Sequence, residues 1–310
     1  MFRNMEYIYK VYKEKSFSKA AEKLYISQPS LSLTIKKTET QAGAKIFDRS
    51  TTPISLTDCG REYIRCAERI MDIESGFNNY LSDINDLKTG TLSIGAGNFF
   101  ASYILPPIIA RFQARYPHIN INLVESDTFH LEKRLYAGEL DLVADNYDFD
   151  KTVYKKHFFY SEQMVLAVPE SLSGKQAAKK YSLTVDDILK GKHLELTVKG
   201  VPLELFRHTP FVMLRPGNDT HYRAEKILKE YQISPPVILE LDQLATAYHV
   251  VCQGMGAAFI SDTIVRETLR DSHTAYYKID SSYAKRSNYL YYKKGKYLTR
   301  AIREFLTMLE

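Results

Sequence analysis

Between Ser16 and Gly60, two polar helix entries flank a pair of small residues, and that order leaves few folds open. Ahead of it, Met5, Ile8 and Tyr12 recur at helical spacing and predict a first helix with one apolar stripe. Ser16 and Ser18 end that helix, with Ser18 the expected cap of the next, Lys19 to Leu24. Ala20 and Ala21 keep side chains small where two helices must cross closely. Tyr25 and Ile26 make the turn, and Ser27 is the expected N-cap of a third helix whose early Pro29 needs no intrahelical donor. On that helix Leu31 and Ile35 face inward, while Gln28, Ser32 and Lys36 recur every four residues on the other side. Phe47, Asp48, Arg49 and a turn from Ser50 to Pro53 follow. This is the order of a winged helix-turn-helix, and a polar stripe with a lysine suits a DNA major groove.

The plainer alternative is an amphipathic helix with a solvated face. Charge weighs against it: the first sixty residues carry ten Lys or Arg against six Asp or Glu, and the other 250 carry 32 against 31. Nearly all of the net +5 therefore sits on the segment that resembles a DNA reader.

The run SFSKAAEKLYISQPSLS, Ser16 to Ser32, continued by Ile35, Glu39, Gly43, Phe47, Arg49, Leu56, Thr57 and Gly60, resembles the N-terminal domain of LysR-type transcriptional regulators. The resemblance implies that Gln28, Pro29 and Ser32 approach bases, Pro29 lying against a thymine methyl, and that Arg49 reaches phosphate beside the wing. Ser18, Ser27, Ser30, Leu33 and Lys36 complete the candidate DNA-binding set. Two positions depart from the pattern. Leu33 stands where many relatives place a polar reader, and it cannot donate to guanine. Thr38 replaces the usual Leu before Glu39, which implies weaker inward packing.

From Asp58 to Lys88 an apolar seam runs through Tyr63, Cys66, Ile70, Ile73, Phe77, Tyr80, Ile84 and Leu87. Its three-four steps are the rhythm of a helix that pairs along its length, a rod of about 45 Å. A helix packed on its own domain is the alternative, since Tyr80 and Cys66 suit a coiled coil poorly; the resemblance favours a dimer, which would read phased half-sites.

Beyond Thr89 and Gly90, strands and helices alternate: Leu92 to Gly95, Ala101 to Tyr116, Ile119 to Val124, Leu131 to Tyr136 and Leu140 to Ala144. A second unit follows with Met164 to Val168, Asp186 to Lys190, Phe211 to Leu214, Thr220 to Tyr231, Val237 to Leu241, Gln243 to Gln253 and Ala257 to Ile260, before Tyr289 to Tyr292 and a closing helix, Thr299 to Leu309. The alternation predicts parallel, doubly wound sheets. The expected fold class is α/β: an all-α winged helix-turn-helix, a long linker helix, and a two-lobed α/β effector domain resembling type 2 periplasmic binding proteins. Gly95, Leu105-Pro106, Phe112, Tyr116-Pro117, Gly138 to Asp141 and Gly254-Met255-Gly256 resemble the LysR-type effector domain. The expected domains are 1–58, 59–89 and 90–310, with lobe I at about 90–165 and 269–310 and lobe II at about 166–268. Some twenty residues between Leu189 and Phe211 exceed the family's usual link, and either a cleft cover or an oligomer contact fits them.

Clefts in such folds lie at the carboxyl ends of strands, where helix N-termini offer amide donors. That rule selects Gly97, Asn98, Phe99, Phe100 and Ser102, then Ser126, Asp127 and Thr128, and in the other lobe Asn218, Asp219 and Thr220. Relatives often hold a carboxylate with hydroxyls in the first loop; Asn98 and two phenylalanines favour a ligand with an apolar or planar part. Helix capping alone would also explain the Ser, Asp and Thr here.

Cys59, Cys66 and Cys252 lack CxxC spacing, and an odd count without a leading apolar segment suggests a reduced cytoplasm. No apolar run reaches membrane length, and the eight histidines show no metal-ligand spacing. GAG at Ala96 lacks the further glycine of a dinucleotide loop, and no nucleophile, base and orienter can be argued together. The expectation is thus a regulator with no cofactor, no metal and no catalytic residues. Its expected partners are double-stranded DNA, a small-molecule effector and itself, dimeric through the linker and tetrameric by resemblance, with RNA polymerase a further candidate. The runner-up is a constitutive or architectural regulator whose C-terminal domain only oligomerises; a weaker third reading fuses a DNA reader to an enzyme.

Overall fold

The computed structural model describes residues 1–84, 90–173, 176–268 and 273–309. The chain divides into two compact units, Met1–Leu81 and Ser82–Glu310.

In the first unit, helix α1 (Met5–Glu14) buries Met5, Ile8 and Val11, with Tyr12 only half-buried. Lys15, in the left-handed region at φ 49°, ends it. Extended Ser16, not Ser18, caps α2 (Phe17–Lys23), its hydroxyl accepting the Lys19 N–H at 3.4 Å. The cap falls two residues earlier than expected because Phe17 is drawn into the core, so the helix must begin at it; Ser18 lies exposed in the first turn. Helix α3 (Gln28–Ala42) starts on Ser27, whose hydroxyl accepts the Ser30 N–H, and ends at left-handed Gly43. Leu31, Ile35 and Thr38 are buried, and the Thr38 hydroxyl donates to the Thr34 carbonyl at 3.3 Å.

Strands β1 (Phe47–Asp48) and β2 (Ser55–Leu56) pair antiparallel and form the wing. Helix α4 (Asp58–Ile84) then begins, with the Thr57 hydroxyl accepting the Gly60 N–H at 2.9 Å. A Cβ at residue 60 would overlap the Ile46 carbonyl oxygen, so only glycine allows this approach. Tyr63, Ile64 and Ala67 join the core, whereas Ile73, Phe77 and Tyr80 are 73, 60 and 47% exposed. The Ile84 side chain, Leu87 and the rest of 85–89 lie outside the described residues.

The second unit contains β3 (Gly90–Ala96), α5 (Leu105–Arg115), β4 (Ile119–Glu125), α6 (Thr128–Tyr136) and β5 (Leu142–Asp145). Then come β6 (Tyr154–Pro169), α7 (Gln176–Lys179), β7 (Ser182–Leu183), α8 (Val185–Leu189), β8 (Phe211–Leu214), α9 (Asp219–Glu230), β9 (Val237–Leu241) and α10 (Leu244–Cys252). The remainder is β10 (Ala258–Ser261), α11 (Asp262–Glu267), β11 (Thr274–Lys278), β12 (Lys285–Lys293) and α12 (Arg300–Thr307). β3 pairs parallel with β4 and β5, and β8 with β9. The other strand pairs are antiparallel, the long strands β6 and β12 running side by side from one lobe to the other, and an isolated parallel bridge joins Phe211 to Ala257. The sheets are therefore mixed where alternation alone suggested purely parallel ones.

Three further differences have local causes. The expected helix from Ala101 begins as a π turn, Phe100–Ile104, and resumes at Leu105, where Pro106 and Pro107 donate no hydrogen bond and suit a first turn. β6 starts ten residues before its expected apolar core, since its first half pairs with β12 and needs no continuous apolar run. The segment after Leu189 forms two 3-10 turns, Lys192–Leu194 and Leu203–Phe206. Val201 N–H donates to the Lys278 carbonyl and Gly200 N–H to Asp280 Oδ2, at 2.9 and 2.7 Å, while Val201, Leu203 and Phe206 pack beside Tyr277 and Ile279. This segment thus closes the core of lobe II.

Candidate functional site

The winged unit presents one polar face built on α3. Gln28, Pro29, Ser30, Leu33 and Lys36 are exposed, Leu33 to 57%. Ser32 is half-buried and accepts a hydrogen bond from Arg49 Nη1 at 3.4 Å. Arg49 also pairs with Glu39 at 3.3 Å and lies over the Phe17 ring, 4.8 Å from its centroid. Glu39 in turn accepts the backbone N–H groups of Ile46 and Phe47 at 2.8 and 3.2 Å. One carboxylate therefore fastens α3 to β1 and orients the arginine, leaving the guanidinium partly exposed between helix and wing.

A concavity of about 360 Å3 opens there, with Lys36, Lys45, Arg49 and Ser50 in its lining. Three cations around one hollow suit a phosphate. Lys45 escaped the sequence reading; its signal was a basic residue four before Arg49, just ahead of the wing. Asp48 faces the same hollow, and hydrogen bonds from the Ser50 hydroxyl and N–H hold its carboxyl below the usual range.

In the second unit Asp219 and Thr220 reach β12 through Arg286 and Phe100 lies beside Tyr160 of β6, whereas Asn98, Ser126 and Asp127 make their hydrogen bonds within lobe I. From lobe I, Asn98 Nδ2 donates to Glu125 Oε1 at 3.0 Å. Phe99 leans out of its own lobe to pack against the apolar cluster of lobe II, while Phe100 stays in the core of lobe I. Gly97 is half-buried and Ser102 exposed. The Ser126 N–H donates to the Ala96 carbonyl at 3.2 Å. Asp127 caps α6 by accepting the His130 N–H, which with the His130 ring keeps its carboxyl below the usual range. The Thr128 hydroxyl donates to Asp145 Oδ2 at 2.8 Å.

From lobe II, Asn218 caps α9, and Asp219 and Thr220 form its first turn. Arg286 on β12 donates to both, at 3.0 and 2.9 Å, and its Nε donates to Glu162 on β6. Asp219 is also held by Arg223 at 2.7 Å. The buried ion pair Arg286–Glu162 thereby ties the crossing strands to the N-terminus of α9, and both carboxylates hold the guanidinium pKa above its usual value despite burial. Asp145, at the end of β5, has its pKa raised by burial, and Asp219 from the other lobe adds to the shift.

Asp145, Glu162, Arg286 and Asn288 were all missed from sequence. The legible signal was weak: polar residues at alternate positions inside strand-like runs, as in Arg286 and Asn288. Among the described residues no group of His, Cys, Asp or Glu is arranged to hold a metal ion.

Residues 2–61 match the model of bacterial regulatory helix-turn-helix proteins of the lysR family, and residues 85–310 match that of the LysR substrate binding domain. An uncharacterized HTH-type transcriptional regulator, YcgK, of Bacillus subtilis is 29% identical over 307 residues, covering 98% of this chain and 92% of its own. Full-length OxyR from Pseudomonas aeruginosa, a cysteine-to-aspartate variant, shares the fold with a TM-score of 0.72 at 20% identity, covering 100% of this chain and 94% of that one. CbnR, solved in complex with its target DNA, gives 0.62 at 18% identity, covering 100% and 98%. The chain belongs to the LysR family of bacterial transcriptional regulators, joining a helix-turn-helix reader to a substrate-binding domain.

Proposed function

We propose that this regulator reads a partly palindromic operator through α3 and the wing, under control of a small molecule held where the two lobes meet. Gln28, Pro29, Ser32 and Leu33 face the bases. Ser18, Ser27, Ser30, Lys36 and Arg49 serve the phosphates and the helix start, and Lys45 joins them. The observation that carries the reading is the exposed face of α3 beside a hollow ringed by Lys36, Lys45 and Arg49. CbnR, solved on its target DNA, supports it.

Residues 1–58 act as the reader, 59–89 as the dimerisation helix and 90–310 as the effector domain, with lobe I at about 90–165 and 269–310 and lobe II at about 166–268; of these, 85–89, 174–175, 269–272 and 310 lie outside the described residues. The exposed Ile73, Phe77 and Tyr80 are the seam that a second copy covers. No helix among the described residues is long and apolar enough to cross a membrane, and the protein works in the cytoplasm beside its DNA, without catalytic turnover.

The effector contacts are drawn from Gly97, Asn98, Phe99, Phe100 and Ser102, from Ser126, Asp127 and Thr128, and from Asn218, Asp219 and Thr220. One observation favours the constitutive alternative: Phe99 already reaches across to lobe II and occupies part of the meeting place.

The test is binding of the purified protein to the intergenic DNA beside its own gene and to a scrambled duplex, across a salt series. Preference for the native duplex that survives physiological salt, with phased half-sites in the footprint, is the expected result. Equal and steeply salt-sensitive binding to both duplexes would reject a sequence-specific reader. A screen in which no small molecule changes operator binding would favour the constitutive reading.

A further inference from the structure

The face of the crossing strands that looks toward α9 holds polar atoms with nothing to bond. Arg286 opposes Glu162 and Asn288 opposes Tyr160 across the β6–β12 ladder, so these four side chains share one face. Asn288 is completely buried, yet neither its amide nitrogen nor its amide oxygen has a partner among the described residues. Glu162 is 4% exposed; one carboxylate oxygen takes Arg286 and the other takes nothing. Leaving such groups unpaired in a core is costly, and proteins tolerate it chiefly where a ligand or bound water completes the bonds. Phe100 lies 6.4 Å from the Tyr160 ring on the lobe I side, and Asp219 and Thr220 flank the lobe II side through Arg286.

The charges decide what fits. Asp145, Glu162 and Asp219 contribute three carboxyls against two guanidiniums, the buried Arg286 that serves Glu162, Asp219 and Thr220 and the Arg223 that holds Asp219. An anion would add negative charge where both guanidiniums already have carboxylate partners. A cation with N–H donors would instead meet the free oxygens of Glu162 and Asn288, with aromatic rings at hand for its body.

Resting on the effector reading above, we propose that the effector is a small organic cation, an amine or amidine with a planar body, whose N–H groups bond Glu162 and Asn288. The same geometry makes Asn288 a specificity residue held at the expense of stability.

Benzamidine and benzoate share a phenyl ring and differ in the sign of charge, so they test the proposal as a pair. Each is titrated into the full-length protein by calorimetry and by thermal melting, with the Asn288→Leu variant in parallel. Benzamidine should bind at least about tenfold tighter than benzoate. Asn288→Leu should abolish that response and raise the melting temperature of the ligand-free protein by a few degrees, since it replaces an unpaired amide with a hydrocarbon of similar size. Tighter binding of benzoate would overturn the ligand class and leave effector control standing. Silence toward both probes, or an Asn288→Leu variant that melts lower and responds as before, would overturn the site and leave Asn288 with a structural water only. None of these outcomes bears on DNA reading, which the salt series tests separately.

Discussion

Asp145 is a carboxyl whose burial opposes its charge: it is 6% exposed and has Asp219 facing it from the other lobe, against which the Thr128 hydroxyl and the Tyr147 N–H donate to it. Burial raises its folded pKa above the unfolded 3.8, so the folded state binds its proton more tightly. Its contribution to stability is therefore full below the unfolded value and is lost as pH rises through the folded one. Asp145→Asn, which cannot ionise, should gain on the parent as pH is raised from about 4 to 8. Melting temperatures across that range check it, and a gap that stays constant would mean Asp145 ionises as an exposed acid. Arg49 is the residue on which reader and wing depend together, through Glu39, Ser32 and Phe17. Arg49→Ala should weaken binding to every duplex and lower the salt slope by about 1. A loss confined to the native operator would instead make Arg49 a base reader.

At the scale of elements, α3 and α4 make opposite demands on the same kind of side chain. Leu31 and Ile35 are fully buried, while Leu33 on the same helix is 57% exposed, where in the proposed complex with DNA it would meet a thymine methyl. Gln28→Ala should cost about 1–3 kcal/mol on the preferred operator and little on scrambled DNA, measured as a ratio of affinities. An unchanged ratio would remove α3 from the role of reader. On α4, Phe77→Glu puts a charge into the exposed seam and should shift the protein to monomer in light scattering, while the melting temperature of the winged unit stays within a degree or two of the parent. The reader was legible because its signals are local: Ser27 capping, Pro29 in the first turn and the Leu31–Ile35 spacing each depend on neighbours within a turn. The α2 cap was misread at Ser18 because burial of Phe17, a tertiary effect, drew the helix start back to Ser16. The site between the lobes was harder still. Glu162 and Arg286 lie 124 residues apart and meet only through strand register, so nothing in either neighbourhood announces the pair. The 189–211 segment likewise takes its purpose from Lys278 and Asp280, some eighty residues on.

At the scale of the molecule, control requires that the effector bind two arrangements of the lobes unequally, since a ligand with equal affinity for both shifts nothing. The crossing strands β6 and β12 are where such a difference can be registered. Arg286 joins them to α9 of lobe II, and Phe99 of lobe I rests on the lobe II cluster. A ligand seated there must therefore displace Phe99 or close more tightly over it, and either change alters the relation of the lobes. Coupling of this kind is a free energy shared by two binding events, typically about 1–3 kcal/mol, and it is reciprocal. If an effector changes operator affinity about tenfold, saturating operator DNA must change effector affinity by the same factor in the same direction. Calorimetric titration of the effector into free protein and into the protein–operator complex measures both sides of that cycle. Replacing Phe99 with alanine should shrink the coupling, because it removes the contact between Phe99 and the lobe II cluster that the effector must change. A Phe99→Ala variant that keeps the parent's coupling would mean that the contact of Phe99 with lobe II does not distinguish the two arrangements.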